Sequence, residues 1–326
     1  MTGRLAAARE AIRQRLAGAQ STALLVRRAG RDLIVVGDVA APSYVASVRK
    51  SILALLYGPH VSAGRIDLDA TLADLGIVDR EPLSDLERTA TVRDLLTSRS
   101  GVYHPAASPG GDVPLARGSH RPGTHFVYNN WDFNTLEEIF RLRTGCTVHE
   151  AFEQQLARPL GLADHDPAAH RPLGVPQRSR HLAHHHFLSA RELARLGELV
   201  LHDGVHEGRS LVPAAWLAAV LQPHVLADAI GMPSFGDAAL DYGYLWWLPR
   251  RPPGHPWAGA ALAAGNYGQY LLCLPALDTV VVYRVRVSDA FAIARNTGGD
   301  IATEETTGLA VHDFLTLAED ILDALS

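Results

Sequence analysis

Ser47-Val48-Arg49-Lys50 sets a hydroxyl and an amine three residues apart. On a helix that spacing places both on one face, with Cβ atoms about 5–6 Å apart. A serine hydroxyl becomes a useful nucleophile only when a neighbour takes its proton, and a lysine can do so if burial or nearby positive charge lowers its pKa. The residues that follow, Ser51-Ile52-Leu53-Ala54-Leu55-Leu56-Tyr57-Gly58, are mostly apolar. Lys50 therefore projects from a helix that must be buried, and a buried lysine needs a reason. If Ser47 begins the helix, its N–H belongs to the first-turn amides that lack intrahelical partners, and it can point at a developing oxyanion. Ser-x-x-Lys alone is a weak signal, because the tetrapeptide is common by chance.

Two further groups offer matching chemistry. Tyr128-Asn129-Asn130 follows the turn Arg121-Pro122-Gly123-Thr124 and precedes a helix beginning near Asn134. A tyrosine there can act as general acid or base beside a positive neighbour, and Asn130 can donate or accept hydrogen bonds. Taken alone, a core aromatic with capping asparagines explains these residues more simply. Gly265-Asn266-Tyr267-Gly268-Gln269 stands before an apolar strand. Glycines beside a strand allow close approach of a ligand, and an edge N–H there can complete an oxyanion hole with Ser47; a bulge or hairpin turn is the alternative.

The elements that must hold these groups can be read from periodicity. Thr22–Arg28 and Leu33–Gly37 form a β-hairpin around Gly30. Ala46–Tyr57 is a helix, and residues 61–220 are mostly helical with long loops over His104–Gly123 and His165–Gln177. Ser189–Leu201 is a helix with Ser189 and Glu192 at capping-box spacing. Strands follow at Tyr242–Leu248, Leu271–Leu274 and Thr279–Val287, then a last helix over Gly308–Leu325. Residues 1–18 form an amphipathic surface helix. The expected fold class is α+β: an antiparallel sheet assembled from both ends of the chain, flanked by helices, with a mostly helical inserted lobe. As one domain over 1–326, the sheet lobe covers about 1–60 and 225–326 and the helical lobe about 61–224. The cleft between them is the natural ligand site.

Composition narrows the function. A formal net charge of −5 with scattered basic residues argues against a nucleic-acid partner. No run of about 18 apolar residues predicts a membrane span, and the N-terminus lacks the apolar core of a signal peptide, so a cytoplasmic location is expected. The two cysteines, Cys146 and Cys273, read as small buried hydrophobes. Sixteen histidines invite a metal reading, but no HExxH motif occurs and Gly204 interrupts the pair His202 and His206. No metal and no cofactor is expected. The cluster His184–His186 is expected at the surface or on a pocket rim, where it can influence substrate choice. Tyr103 and Trp131 are candidate pocket aromatics, with Trp131 better read as core.

These elements, in this order and spacing, resemble the serine β-lactamase and penicillin-binding-protein superfamily. The likeness is to its class C-like esterase and aminohexanoate-oligomer hydrolase branch. Ser47-Val48-Arg49-Lys50-Ser51 is similar to that branch's nucleophile motif, and Pro122-Gly123-Thr124 through Tyr128-Asn129-Asn130 to its second motif. Gly64–Asp69, Thr91–Gly101, Pro159–Leu162, Ser189–Arg195 and Tyr242–Trp247 resemble further landmarks, so the likeness runs from about residue 22 to the C-terminus. It implies an acyl-enzyme on Ser47, with Lys50 and Tyr128 sharing general-base and general-acid work in an order the sequence leaves open. It implies Asn130 and Gly265, Asn266, Tyr267, Gly268 and Gln269 as substrate-binding or oxyanion residues. Asn129 stands where Ser or Ala is common, and no Lys or His followed by Thr-Gly occupies the third motif. That missing cation points away from a β-lactam carboxylate and toward a small amide or ester. The expectation is a serine hydrolase. An acyltransferase using the same acyl-enzyme with an amine or alcohol acceptor, and a non-turnover binding or sensor domain, are the alternatives.

Overall fold

The computed structural model describes residues 10, 12–14, 16, 21–109, 112–231, 239–299 and 308–325. The expected N-terminal helix lies mostly outside the described residues.

Strands β1 (Ala23–Arg28) and β2 (Arg31–Gly37) form the first hairpin. Its two turn residues, Ala29 and Gly30, have φ of 48° and 73°, the left-handed pair that a tight right-twisting hairpin requires. A two-residue strand β3 (Ser43–Tyr44) leads into helix α1 (Val48–Ser62). Nearly every residue of α1 from Val48 to Gly58 is buried, as an apolar sequence on all faces demands. The short α2 (Val92–Leu96) starts at a capping box made by Thr91 and Asp94. Helix α3 (Asn130–Thr144) begins four residues before the expected start because the Asn129 side chain accepts the Trp131 N–H and caps it. Helix α4 (Val148–Phe152) runs on through a π-turn at Glu153–Ala157.

The segment expected as a loop over His165–Gln177 contains β4 (Arg171–Leu173), which pairs with β5 (Ala183–His185). Then β6 (Phe187–Leu188) pairs with β3 and so ties this segment to the approach to Ser47. Of the two places expected for the His184–His186 cluster, burial of His185 and His186 rules out the open surface, while His185 does line the cleft at Ser47; β4, β5 and β6 carry the segment inward. Helix α5 (Ala190–Leu201) has the predicted capping box, with Ser189 Oγ accepting from Glu192 N. A small hairpin, β7 (Val205–His206) and β8 (Arg209–Ser210), precedes α6 (Ala214–Val220).

The expected single strand Tyr242–Leu248 is a hairpin, β9 (Leu240–Tyr242) and β10 (Trp247–Pro249), with Tyr242 opposite Trp247. The chain reverses because Tyr244 N donates to Val220 O and Leu245 N to Leu96 O, which pull the apolar run out of line. Only glycine fits at Gly243, where a Cβ would sit 2.1 Å from Val220 O. Strands β11 (Ala261–Gly265), β12 (Gln269–Leu274) and β13 (Thr279–Arg284) complete a seven-stranded antiparallel sheet in the order β2-β1-β13-β12-β11-β10-β9. Helix α7 (Asp289–Thr297) follows, and α8 (Val311–Ala324) ends the described chain.

Side chains alternate across the sheet with the strand period of two. Leu25, Leu271, Val280 and Val282 face a core shared with α1, α3 and α5. Leu24, Val26, Leu272 and Val281 face a second core under α8. The sheet is thus covered on both faces, and Ser47 lies at the join between the first core and the end of β11. Among the described residues no helix is long and apolar enough to cross a membrane.

Candidate active site

Ser47 is the N-cap residue of α1. The residue before it, Ala46, has φ of 48°. A non-glycine residue held in that region costs of order 1–3 kcal/mol, and local pairing holds it there. Val45 N donates to His186 O, Val48 N to Val45 O, and Arg49 N to Ala46 O. Ser47 N–H has no backbone acceptor among the described residues.

One turn along α1, the Lys50 side chain is 2% exposed. Its Nζ lies 3.0 Å from Ser47 Oγ, 2.9 Å from Tyr128 Oη and 2.7 Å from Asn130 Oδ1. The same nitrogen sits 4.2 Å from the Tyr128 ring centroid and 4.1 Å from that of Phe133. Burial, followed by the nearby Arg49 charge, holds the Lys50 pKa well below that of an ordinary lysine, against the opposing pull of Glu137. The amine can therefore be neutral and accept a proton. Tyr128 shifts the other way: burial pushes its pKa up to about 12, so it keeps its proton at neutral pH. Trp247 stacks on Tyr128 at 5.6 Å between ring centroids, and Phe133 packs on it at 4.8 Å.

Arg49 points away from Lys50 into a buried ion pair with Glu137, and its Nη2 donates to Asn134 Oδ1 at 2.7 Å. Glu137 also accepts from His184 N at 2.8 Å. The charge on Arg49 is held in place and bears on Lys50. No sequence signal marks this pair, although Arg49 stands inside the motif.

Gly265 closes the site from the sheet. A Cβ on it would lie 2.6 Å from Val45 O and 3.0 Å from Ser47 N, so the end of β11 touches the backbone of the nucleophile. Strand β11 is not an outer strand, but β10 pairs with it only at Trp247 and Leu262, leaving its end unpaired on the Ser47 side. Asn266 and Tyr267 line the cleft, with Tyr267 at φ of 65°. Gly268 and Gln269 lie elsewhere. Gly268 packs near Tyr283, Val285 and Gly308. Gln269 is fully buried, donating to Tyr267 O and Val285 O and accepting from Arg284. Tyr103 and Trp131 also stand outside the cleft, and Trp131 donates its Nε1–H to Asp79 in the core.

The cleft in front of Ser47 is open to solvent and encloses a cavity of about 110 Å³. Besides the residues expected from the sequence, His185 of the expected rim cluster among them, it is lined by Tyr44, Arg49, Asn134, Arg295 and Asn296. The last two come from α7, which bridges to the loop at Ser108 and Pro109.

The beta-lactamase family profile matches residues 9–297. The chain belongs to the beta-lactamase family. Family membership makes it an enzyme of the serine-hydrolase class. Solved structures with the same fold include a Bacillus anthracis protein assigned as a 6-aminohexanoate-dimer hydrolase. It is 19% identical, with a TM-score of 0.65, over 96% of this chain and 80% of that one. EstCE1, described as a hydrolase with promiscuous acyltransferase activity, is 16% identical with a TM-score of 0.63, over 99% and 98% of the two chains. A penicillin-binding-protein homologue from Caulobacter crescentus is 19% identical with a TM-score of 0.66, over 99% and 96%. At these identities the likeness is one of fold. No curated protein matches the sequence. Within the beta-lactamase family fold, the chain places Ser47, Lys50, Tyr128 and Asn130 in one hydrogen-bonded group, with Gly265 against Ser47.

Proposed function

We propose that this beta-lactamase-family chain hydrolyses a small amide or ester through an acyl-enzyme on Ser47. The observation that carries the reading is the Lys50 amine. It is buried, hydrogen-bonded to both Ser47 and Tyr128, and held toward its neutral form.

Lys50 takes the proton as Ser47 Oγ attacks the substrate carbonyl carbon. The Ser47 N–H and an N–H at the end of β11 stabilise the oxyanion, an interaction realised as charge develops. Tyr128, protonated at neutral pH, hands its proton to the leaving nitrogen or oxygen and recovers one from the Lys50 ammonium. The carbon–leaving-group bond breaks and an ester to Ser47 remains. Water then attacks this ester, giving its proton to the Lys50–Tyr128 pair, and Ser47 regains its proton as the acid departs. Asn130 accepts from Lys50 and orients the amine.

An activated ester and a fluorophosphonate reagent test this reading against Ser47→Ala, with peptide mapping to locate the adduct. An adduct on Ser47 with turnover supports it. An adduct without turnover favours a sensor, and no adduct on a folded protein removes it. Acyl transfer is the second reading. The promiscuous acyltransferase activity of EstCE1, a protein of the same fold, supports it, whereas the open mouth of the cleft supports water as acceptor. Product analysis with added amines or alcohols separates the two.

A further inference from the structure

The walls of the cleft beyond Ser47 are unequal in what they offer. Among the described residues the lining contains two arginines, Arg49 and Arg295, and no carboxylate. Arg49 is already ion-paired with Glu137. Arg295 spends one N–H on Pro109 O, and among the described residues no acid pairs with it.

The uncharged groups beside Arg295 also have donors to spare. Tyr44 Oη accepts from Asn296 Nδ2 at 3.1 Å, so its own proton remains available. Asn296 Oδ1 is already taken by Ser108 Oγ at 3.0 Å. His185 is 4% exposed and lines the cleft; among the described residues neither of its ring nitrogens makes a hydrogen bond of standard geometry, and Asn296 is the polar side chain near enough to act on it. Its ring packs against Tyr44 with centroids 4.9 Å apart. A buried imidazole without a well-formed hydrogen bond carries a desolvation cost that a ligand can relieve.

From these groups we infer that this end of the cleft is a subsite for a carboxylate on the substrate, recognised by Arg295, Tyr44 and His185. It rests on the acyl-enzyme reading and adds the substrate class: acyl compounds with a second, anionic end. The unspent groups are a guanidinium fork, a hydroxyl proton and one imidazole N–H, a set that matches an acceptor-only, planar anion. Because α7 supplies Arg295, this cation reaches the cleft from outside the third motif, where the sequence has none.

The test compares two esters of one shape within each protein: the mono-p-nitrophenyl ester of glutaric acid, and p-nitrophenyl 5-methylhexanoate, whose branched end replaces the carboxylate without charge. The readout is the ratio of kcat/KM for the charged over the neutral ester, so a general loss of activity cancels. The ratio is expected to exceed one in the native chain and to fall about 10-fold to 100-fold in Arg295→Gln, the usual scale for hydrogen bonds to a charged group. Arg295→Lys should retain part of it. Inhibition of neutral-ester hydrolysis by free glutarate, against glutaramide as control, reads the same subsite should the anion lie on the leaving-group side. A native ratio near one together with equal inhibition by glutarate and glutaramide overturns the subsite. So does a ratio or inhibition that Arg295→Gln leaves unchanged. If neutral ester is still turned over on Ser47 in those cases, the acyl-enzyme reading stands; absence of any turnover or Ser47 adduct removes both.

Discussion

Lys50 Nζ and Ser47 Oγ stand 3.0 Å apart, with the amine buried and the hydroxyl at the mouth of the cleft. The relationship follows from one helical turn and from the apolar residues that bury α1 around it. Ser47→Ala is expected to abolish ester turnover while the protein keeps its thermal midpoint. Lys50→Met and Tyr128→Phe should each lower kcat by about 100-fold or more, the scale for lost acid–base catalysis. Tyr128→Phe keeps the ring packed on Trp247 and Phe133, so its effect reports the hydroxyl. Near-normal turnover in Lys50→Met would remove Lys50 as the base.

The pH profile should carry the same assignment. The working form of Lys50 is the neutral amine, so kcat/KM is lost as pH falls through its folded pKa, which burial and Arg49 hold well below 10.5. Tyr128 works protonated and stays so until about pH 12, so it should impose no descending limb below that. Arg49→Met removes a lowering influence and leaves the raising one of Glu137, which predicts a rising limb displaced to higher pH. The same change strands a buried carboxylate, at a cost of about 3–5 kcal/mol, and a thermal melt records it. A rising limb that stays in place would break the link between Arg49 and Lys50.

Legibility differs with the range of the interaction involved. The hairpin at Ala23–Gly37, helix α5 and the helical run after Ser47 rest on local signals: turn residues, a capping box and an apolar stretch. Strand β11 is Ala-Leu-Ala-Ala-Gly, without the β-branched or aromatic residues that mark strands; its pairing with β12 decides it. The reversal at Gly243–Trp246 depends on carbonyls of Val220 and Leu96, which no window of sequence contains. Helix α7 is absent from the sequence reading and, with it, Arg295 and Asn296. Sequence order can suggest that Ser47, Tyr128 and Gly265 share a site, because motifs with recognisable spacing carry them. It marks the His184–His186 cluster only as surface or pocket rim without singling out His185, and it holds no sign that Gln269 turns into the core to meet Arg284.

Gly265 offers a test of the oxyanion wall. Gly265→Ala would put a methyl 2.6 Å from Val45 O and 3.0 Å from Ser47 N, both backbone atoms without room to yield. The expected result is at least a 10-fold fall in kcat/KM from displacement of the nucleophile's backbone, larger than any loss of stability explains. An active Gly265→Ala protein with native kinetics would mean that the end of β11 does not set the geometry at Ser47.

The interior histidines predict how the fold responds to acid. His149, His170 and His186 pack on one another with ring centroids 5.0–5.6 Å apart, and Phe152 packs against His170 and His186. His165 and His184 lie on the flanks, and Glu137, Glu153, Arg49 and Arg171 are the charged groups around them. Burial is the leading cause that lowers the pKa of His149 to about 4 and of His170 to about 3, and it moves His186 in the same direction. An unfolded chain binds these protons near pH 6.5. Above that pH neither state is protonated at these rings and they add no pH dependence. As pH falls below it, the unfolded state gains protons that the folded state refuses, and stability drops by up to about 1.4 kcal/mol per pH unit for each such histidine. The loss continues until pH reaches the folded values, near 4 for His149 and 3 for His170. Urea unfolding at pH 7, 6 and 5 should therefore show a steep decline, and His186→Phe should flatten it by one histidine's share. If native and His186→Phe proteins lose stability in parallel, the acid response arises from the carboxylates instead, and the histidines are protonated within the fold.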